Sequence, residues 1–439
     1  MSAQEKPTTT LIQDVTRTLD SGDSAGALAL CREAEGRIAA GSFEPKVLQN
    51  AWRDLFKAYA LAGDQVEAAR ILTLRMQAQV QFFAGPEPSG EKASQRFHAI
   101  NVVWGETFLE TYHKAALPTL LAEGNLKALA QGDGATYCLY TARSDAPALL
   151  ESPLFAALRQ VVPVRLVTFD DALLQTIGKF ALMSMCHSHA VFLARAESAN
   201  PVFLSPDAIF ADNALAAVRR AFDAGKRAVM IISTRLDRGG MLAELARLQP
   251  SNGALAIAPR DMVAMSLRHP HPLMTSVSWD QERSCQRNCG IVWNVPNEGV
   301  LLRTSHWHPL AVAPELTNPV INSVLDADLL RHANITAEQL HVVTDSDELA
   351  HFELSDLGYG KEVIGAPGEM TAESVGSVVA DTATPFHEDL LGYTARLHSG
   401  EYSPAWAAKQ AESDAVVQDI FSVVRRLQAE KASKEAGHG

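Results

Sequence analysis

Residues 98–129 read HAINVVWGETFLETYHKAALPTLLAEGNLKAL, and the fold can be worked out from this segment. A β-type apolar run ends at Trp104, Gly105 and Glu106, and a helical stretch follows it. Short apolar runs alternate with helical stretches further along the chain as well: ATYCLYTA (135–142), VPVRLVTFD (162–170), PDAIFAD (206–212) and RAVMIIS (227–233). The alternation predicts an α/β domain with a mixed, mostly parallel sheet that is flanked by helices on both faces.

Antiparallel strands are expected late in this domain. The segment GIVWNVPNEGVLLRTS, residues 290–305, is typical of a strand pair with Pro296, Asn297 and Gly299 near its turn. From about residue 372 the sequence is typical of helices, first through FHEDLLGYTARLHS (386–399) and then through a long stretch that begins near residue 405.

The first 85 residues carry a helical repeat. Their clearest copy has the spacing of a tetratricopeptide repeat, at Trp52, Leu55, Tyr59, Gly63 and Ala68. The Gly-Asp pair at 63–64 recurs at 22–23. Two incomplete repeats are too few to bury their apolar face alone, because about three are usually needed. We therefore expect this module to pack on the rest of the chain or on a partner protein.

Composition indicates the domain boundaries. The segment GPEPSGEKAS, residues 85–94, combines Pro, Gly, Ser and charge, as linkers do. The chain is therefore divided into four parts: a tetratricopeptide-like helical module (1–85), a linker (86–95), an α/β domain (96–400) and a C-terminal helix with a polar tail (401–439).

Charge and hydropathy exclude several classes of protein. The chain has 51 acidic and 38 basic residues, and its net charge of −13 repels nucleic acid and anionic lipid. No apolar window is long enough for a signal peptide or a membrane span, so we expect a cytoplasmic protein with no membrane span. The five cysteines, an odd number, are expected to be reduced thiols.

Common catalytic motifs are absent from the sequence. No G-x-G-x-x-G follows the first strand, and the P-loop, G-x-S-x-G and H-E-x-x-H patterns do not occur. Polar residues at strand ends therefore become the candidates, because open α/β sheets bind ligands there.

Two segments are candidate donor-binding sites. Trp104, Gly105 and Glu106 offer an aromatic plane and a backbone amide to a nucleotide base, although a capped strand end with a core tryptophan has the same pattern. Asp207 and Asp212 bracket an apolar run, and carboxylates there can hold a cation that neutralises a diphosphate. The alternative for Asp212 is an N-cap of the next helix, a role that suits Asn213 as well.

Two H-x-H pairs are candidates for metal or phosphate binding. His306 and His308 follow the strand GVLLRT, and both imidazoles point to one face if the segment stays extended. His269 and His271 repeat the spacing beside two prolines. A structural or surface role is the alternative for each histidine.

An acidic D-x-D follows a late apolar strand. Asp345 and Asp347 have the spacing with which proteins hold manganese or magnesium at a diphosphate, and Glu348 comes next. The alternative is a helix start, since Asp-Ser-Asp-Glu before Leu is typical of a first helical turn.

The chain resembles bacterial glycosyltransferase-like proteins with a GT-A-type nucleotide-diphospho-sugar fold. The segments that carry the resemblance are residues 102–129, 137–142, 205–231, 306–310 and 342–349. The resemblance spans residues 98 to about 400. It implies a nucleotide-sugar donor bound by the first half of the sheet, an acceptor bound by the second half, and a divalent metal, Mn or Mg. By position, Trp104 to Glu106 and Thr141 would face the nucleotide. Either Asp207 and Asp212 or Asp345 and Asp347 would contact the metal and diphosphate.

The sequence therefore predicts a glycosyltransferase that moves a sugar from a nucleotide-diphospho-sugar to a bacterial glycan, lipid-linked or protein acceptor. His306, His308 or Glu348 would act as the base. The repeat module would recruit the acceptor or a protein partner. Two alternatives stay open: a non-catalytic tetratricopeptide-type interaction scaffold, and a metal-dependent hydrolase that uses the H-x-H pairs.

Overall fold

The computed structural model describes residues 8, 10–41, 45–80, 82–85, 97–132, 134–248, 253–281, 284–285, 289–318, 321, 325–330, 333–364 and 367–436. The predicted linker, residues 86–95, lies outside the described residues.

The chain begins with two helical hairpins. Their helices are α1 (Leu11–Asp20), α2 (Ser24–Ala40), α3 (Pro45–Leu61) and α4 (Gln65–Val80). Gly22 and Gly63 occupy the same place in the two turns, each at φ +82°, a conformation that glycine adopts without a steric penalty. Trp52, Leu55 and Tyr59 are buried in the core that the helices share. The Gly-Asp pairs of the sequence therefore mark the turns of two similar hairpins.

Eight strands form the main sheet, in the order β1 (Phe83–Ala84), β4 (Val164–Phe169), β3 (Ala135–Ala142), β2 (Phe97–Val102), β5 (Asn200–Leu204), β12 (His308–Val312), β7 (Ala228–Ile231) and β13 (Leu340–Val342). β1 runs antiparallel to β4, and β12 runs antiparallel to both of its neighbours. The other pairs are parallel. The prediction of a mixed, mostly parallel sheet is confirmed.

Smaller sheets complete the domain. Their strands are β6 (Ala208–Phe210), β14 (His351–Ser355) and β8 (Thr234–Asp237) in one sheet, β10 (Gly290–Val295), β11 (Gly299–Thr304) and β16 (Ala395–His398) in another, and β9 (Ser284–Cys285) with β15 (Pro367–Gly368) in a third. β10 and β11 form the antiparallel pair that the sequence predicts, and Asn297 in their turn has φ +63°.

Two segments differ from the prediction. The run PDAIFAD supplies β6 of a small sheet, whereas the main sheet takes its next strand, β5, from the residues just before it. The segment FHEDLLGYTARLHS is helical only in its first half, and its end is β16, which pairs with β11. In both places strand pairing decides the outcome over local preference.

Further helices pack on the two faces of the main sheet and against the smaller sheets. They are α5 (Glu106–Thr111), α6 (Leu117–Leu120), α7 (Ala146–Leu150), α8 (Pro153–Val161), α9 (Ala172–Thr176), α10 (Lys179–Ala196), α11 (Ala214–Asp223), α12 (Arg238–Leu245), α13 (Pro259–Ser266), α14 (Pro272–Thr275), α15 (Leu325–Asp328), α16 (Lys361–Ile364), α17 (Ala372–Thr382), α18 (Pro385–Leu390) and α19 (Pro404–Ala436). Short π-helical turns at Tyr112–Ala116 and Glu123–Lys127 flank α6, and a 3₁₀ turn spans Pro314–Leu316.

Alternate residues of the central strands enter two different cores. Ile100 and Tyr140 pack with α10 on one face, whereas Ala99 and Tyr137 pack with α11 on the other. This is the period of two that a strand imposes on its side chains. Both faces are apolar, so the sheet is buried on both sides, as parallel sheets usually are.

The helical hairpins connect directly to the main sheet. After α4 the chain enters β1, whose Phe83 ring stacks on His189 of α10 at 4.5 Å between ring centroids. Residues 83 and 84, which the sequence places in the helical module, thus belong to the sheet. Among the described helices, none combines the length and apolar character that crossing a bilayer requires. All five cysteines lie within the described residues, and none of them forms a disulfide.

Candidate metal centre and strand-end crevice

The strand order predicts a ligand-binding crevice near the middle of the main sheet, at the switch point between β2 and β5. From β2 the chain moves outward through β3 and β4, and it then returns to place β5 on the other side of β2. In open α/β sheets, ligands bind where neighbouring connections diverge in this way, at the carboxyl ends of the strands. Residues 104–106 follow β2 and Asp207 follows β5, so the order of the strands brings two predicted donor-binding segments to one switch point.

The segment after β2, residues 104–106, is fixed by a ring contact and a backbone hydrogen bond. Trp104 is half-buried and packs edge-on against Phe169, with 5.6 Å between ring centroids. The Gly105 N–H donates to Asp145 Oδ2 at 2.8 Å, and Glu106 is exposed at the start of α5. Thr141 lies fully buried in β3. Trp104 is therefore partly exposed and Glu106 exposed at this switch point, whereas Thr141 lies inside the sheet.

Asp207 belongs to a half-buried charged cluster between β6, β8 and β14. Arg235 of β8 forms an ion pair with Glu353 of β14 at 2.6 Å, and it also donates to Ser355 Oγ at 2.7 Å. Burial, with a smaller contribution from the Glu353 charge, raises the pKa of Asp207 to about 7, although Arg235 opposes the shift. A carboxyl with this pKa exchanges its proton near neutral pH.

Asp212 has a structural contact. Its Oδ1 accepts from the Gly124 N–H at 3.0 Å and so ties the turn at Glu123–Lys127 to the start of α11. Asn213 stands at the N-cap position with φ +68°, but its own side chain does not cap the helix; the Leu215 N–H in the first turn donates to Asn125 Oδ1 at 3.0 Å instead. Of the two N-cap candidates, Asn213 therefore holds the position without a side-chain bond, and Asp212 does not cap α11.

His306 and His308 are both engaged by neighbours. His308 Nδ1 lies 2.8 Å from Asp326 Oδ1; burial lowers the pKa of His308, but the Asp326 carboxylate outweighs it and the net pKa is raised. His306 stacks on His387 at 5.0 Å between ring centroids, and burial, followed by the His387 charge, lowers its pKa.

The second H-x-H pair also has structural partners. His269 pairs with Glu244 at 2.6 Å, and His271 caps α14 by accepting from the Leu273 N–H. Within the part of the chain that the structure describes, neither pair joins a group of three ligand side chains.

Among the residues that the structure describes, one group of three side chains could hold a metal ion: Asp345, Asp347 and His398, whose ligand atoms all lie within 4.8 Å of one another. Asp345 and Asp347 follow β13, and His398 ends β16. Two backbone contacts join these segments, since the Ser346 N–H donates to the Arg396 carbonyl and the His398 N–H donates to Ser346 Oγ. The buried histidine is thereby fixed against the two carboxylates.

The surroundings of His398 suit a metal ligand. Its Nδ1 lies 2.6 Å from the Gly400 carbonyl, so Nδ1 carries a proton and Nε2 faces Asp345 Oδ1 at 3.0 Å and Asp347 Oδ1 at 3.8 Å. A carbonyl on the far nitrogen is the usual way in which proteins orient a ligating histidine. Two carboxylates and one imidazole form a donor set that suits a divalent cation such as Mn²⁺.

Asp345 is held in its ionised form. Burial raises its pKa, but hydrogen bonds from the Tyr402 hydroxyl, the Asp347 N–H and His398 outweigh burial, and the net pKa lies below the usual aspartate value. The Tyr402 pKa is raised by burial and by Asp345. A carboxylate that accepts several hydrogen bonds keeps its charge.

Asp347 is the exposed member of the group, and Arg260 at the start of α13 binds it through two nitrogens. Glu348, the third acidic residue of the segment, turns to a different partner and pairs with His341 Nε2 at 2.6 Å. The D-x-D spacing therefore identifies two members of the candidate metal group, which consists of Asp345, Asp347 and His398. Glu348 instead belongs to an ion pair with His341 of the edge strand β13.

No protein-family model matches the chain, and no curated protein matches it significantly.

Four contributors to these sites lack a sequence signal. Glu353 and Arg235 meet by strand pairing, and His398 and Arg260 reach the D-x-D segment from distant parts of the chain. For Asp207, Asp345 and Asp347 the sequence did offer a signal, because each is a polar residue near the end of a predicted strand.

Proposed function

We propose that the chain is a glycosyltransferase with a GT-A-type fold that transfers a sugar from a nucleotide-diphospho-sugar to a glycan, lipid-linked or protein acceptor. One observation carries the proposal. Residues 104–106 follow β2, Asp207 follows β5, and Asp345 and Asp347 follow β13. These three strands run in the same direction in the main sheet, so the three segments lie along its carboxyl edge.

The residues present can divide the work of such a transfer. Trp104 and Glu106 line the place where the nucleotide would bind, and Asp345, Asp347 and His398 would hold a divalent metal. Such a metal, Mn or Mg, stabilises the charge of a departing diphosphate. Asp207 has the proton affinity of a general base that works near neutral pH. It becomes our candidate base because both His308 and Glu348 are held by other side chains.

The helical hairpins would serve recruitment. Their repeated Gly-Asp turns and small buried residues support a tetratricopeptide-like module, a type of structure that binds proteins and performs no chemistry itself. We propose that it brings the acceptor or a partner protein to the transferase domain.

Thermal unfolding with nucleoside diphosphates and their sugars, each with and without Mn²⁺, tests the function. A ligand that binds the folded state stabilises it by about 2.7 kcal/mol at a hundred times its Kd. We expect at least one nucleotide sugar to raise the midpoint by a few degrees, and more so with Mn²⁺. If no compound shifts the unfolding midpoint, the proposal is overturned and the non-catalytic interaction scaffold becomes the favoured alternative.

Variants assign the shift to a site. Asp345→Asn combined with Asp347→Asn should abolish the contribution of Mn²⁺, whereas Asp207→Asn should leave that contribution in place. Asp381→Asn, an exposed change on α17, serves as the control and should behave as the wild type does. Equal losses in all variants would point to a general effect on folding and would contradict the site assignment.

A further inference from the structure

Arg260 occupies the exposed side of the metal group. Its Nε lies 3.0 Å and 3.1 Å from the two oxygens of Asp347, and a terminal nitrogen lies 2.7 Å from Oδ2. Its other terminal nitrogen donates to Glu401 Oε1 at 2.5 Å. Planar, bidentate pairing of this kind is the strongest form of arginine–carboxylate contact. Both oxygens of a candidate metal ligand are thus already taken by a cation.

In this arrangement Arg260 and a metal ion would compete for the Asp347 carboxylate. A divalent cation on Asp347 would share its carboxylate with a guanidinium, and like charges at such short range repel. The arginine can move aside, because its side chain is 38% exposed and Glu401, 86% exposed, holds it from the solvent side. Metal binding therefore has to weaken or break the pair between Arg260 and Asp347.

A diphosphate removes this conflict. Its oxygens accept hydrogen bonds from a guanidinium and also bind divalent metals, so one anion can compensate both cations. We propose that Arg260 makes metal binding depend on a diphosphate: it competes with the metal for Asp347 in the free protein and turns to the diphosphate when both are present. The role of the diphosphate rests on the proposed function, whereas the competition between Arg260 and the metal does not.

Binding of Mn²⁺ to the full-length protein tests the inference, with the free ion measured by electron paramagnetic resonance in the presence and absence of UDP. Arg260→Gln removes the competing charge and should bind Mn²⁺ alone about tenfold more tightly than the wild type. UDP should tighten Mn²⁺ binding to the wild type about tenfold, and it should do so much less in the variant.

Arg426 provides a matched control. It is also exposed, and it grips Glu373 through two contacts of 2.6 Å and 2.7 Å on a different part of the surface. Arg426→Gln should leave Mn²⁺ binding unchanged both with and without UDP. Circular dichroism should show that all three proteins are folded to the same extent.

Several results would overturn the inference. Equal Mn²⁺ affinity of the wild type and Arg260→Gln would exclude competition, and the absence of Mn²⁺ binding to both would exclude the metal group itself. Tighter Mn²⁺ binding in Arg260→Gln without any effect of UDP would overturn the link to a diphosphate. A further result is that nucleotide sugars stabilise the protein although Arg260→Gln leaves the Mn²⁺ affinity unchanged. That result would overturn this inference and leave the proposed function standing.

Discussion

Asp207 shows how one side chain can set the response of a protein to pH. Its carboxyl group lies beside Glu353 and Arg235, and its pKa is raised from the ordinary value of 3.8 to about 7, first by burial and then by the Glu353 charge. Between these two pH values the folded protein binds a proton that the unfolded chain has already released. Stability from this group therefore falls as pH rises from about 4 to about 7.

Asp207→Asn should remove that dependence. From pH 5 to pH 8 the wild type should lose about 1–3 kcal/mol more unfolding free energy than the variant does, because each pKa unit corresponds to about 1.4 kcal/mol. Urea denaturation at pH 5, 6.5 and 8 provides the measurement, and Asp381→Asn provides the control. Parallel pH profiles for the wild type and Asp207→Asn would show that Asp207 ionises as an ordinary carboxyl group.

Single residues also show the limit of what the sequence predicts about the site. The D-x-D spacing identified Asp345 and Asp347, because residues two apart at a strand end stay together whatever the rest of the chain does. His398 comes from β16, and its position depends on pairing with β11 and on contacts with residues 344–346. Long-range pairing of this kind leaves no local pattern in the sequence.

At the scale of elements, the two C-terminal helices α17 and α19 pack closely at one glycine. A Cβ atom on Gly376 of α17 would lie 2.7 Å from Val423 Cγ1 of α19, and 3.3 Å from the Ile420 carbonyl oxygen. Gly36 in the middle of α2, by contrast, is exposed, and nothing lies within 4 Å of the corresponding position. The two glycines have different reasons to be in helices.

The same substitution at these two sites should have opposite effects. Gly376→Ala should lower stability by about 1–3 kcal/mol, because α17 and α19 must move apart. Gly36→Ala should raise stability by about 0.5–1 kcal/mol, because alanine has the higher helix propensity. Thermal unfolding followed by circular dichroism compares the two, and effects of the same sign would contradict the packing argument.

Elements with strong local patterns were predictable, and those defined by their neighbours were not. ATYCLYTA corresponds to β3 residue for residue, and RAVMIIS contains β7. The strand β12 (HPLAV) was missed because its second residue, Pro309, has no N–H to donate to a neighbouring strand, and β16 was missed because it lies between helices. Each becomes a strand because an open edge of another strand accepts it.

On the scale of the whole molecule, the helical hairpins are attached to the sheet through β1. Phe83 stacks on His189 and meets Tyr140 edge-on at 5.8 Å, and the Tyr140 hydroxyl lies 2.9 Å from His189 Nδ1. Burial lowers the pKa of His189 to about 4, so its ring is neutral at physiological pH and suits an aromatic stack. This cluster joins the strand after α4 to the centre of the sheet.

Phe83→Ala should loosen this attachment. We expect the free energy of unfolding to fall by about 1–3 kcal/mol, the range for removing a partly buried aromatic ring together with its stacking interaction. Phe108→Ala is the control, because Phe108 is 43% exposed and its removal should cost less than about 0.5 kcal/mol. Urea denaturation measures both changes, and hydrogen exchange should quicken in β4 of the first variant only. Equal costs would mean that Phe83 adds little to the attachment.

The antiparallel strand β12 has a consequence for how the chain is made. It fills the gap between β5 and β7, yet it follows β7 by many residues along the chain. At the usual pace of translation, several seconds pass between the synthesis of β7 and that of β12. If β5 and β7 fold before β12 is made, we expect their facing edges to stay unpaired during that time. Unpaired strand edges are bound by chaperones and pair readily with other chains.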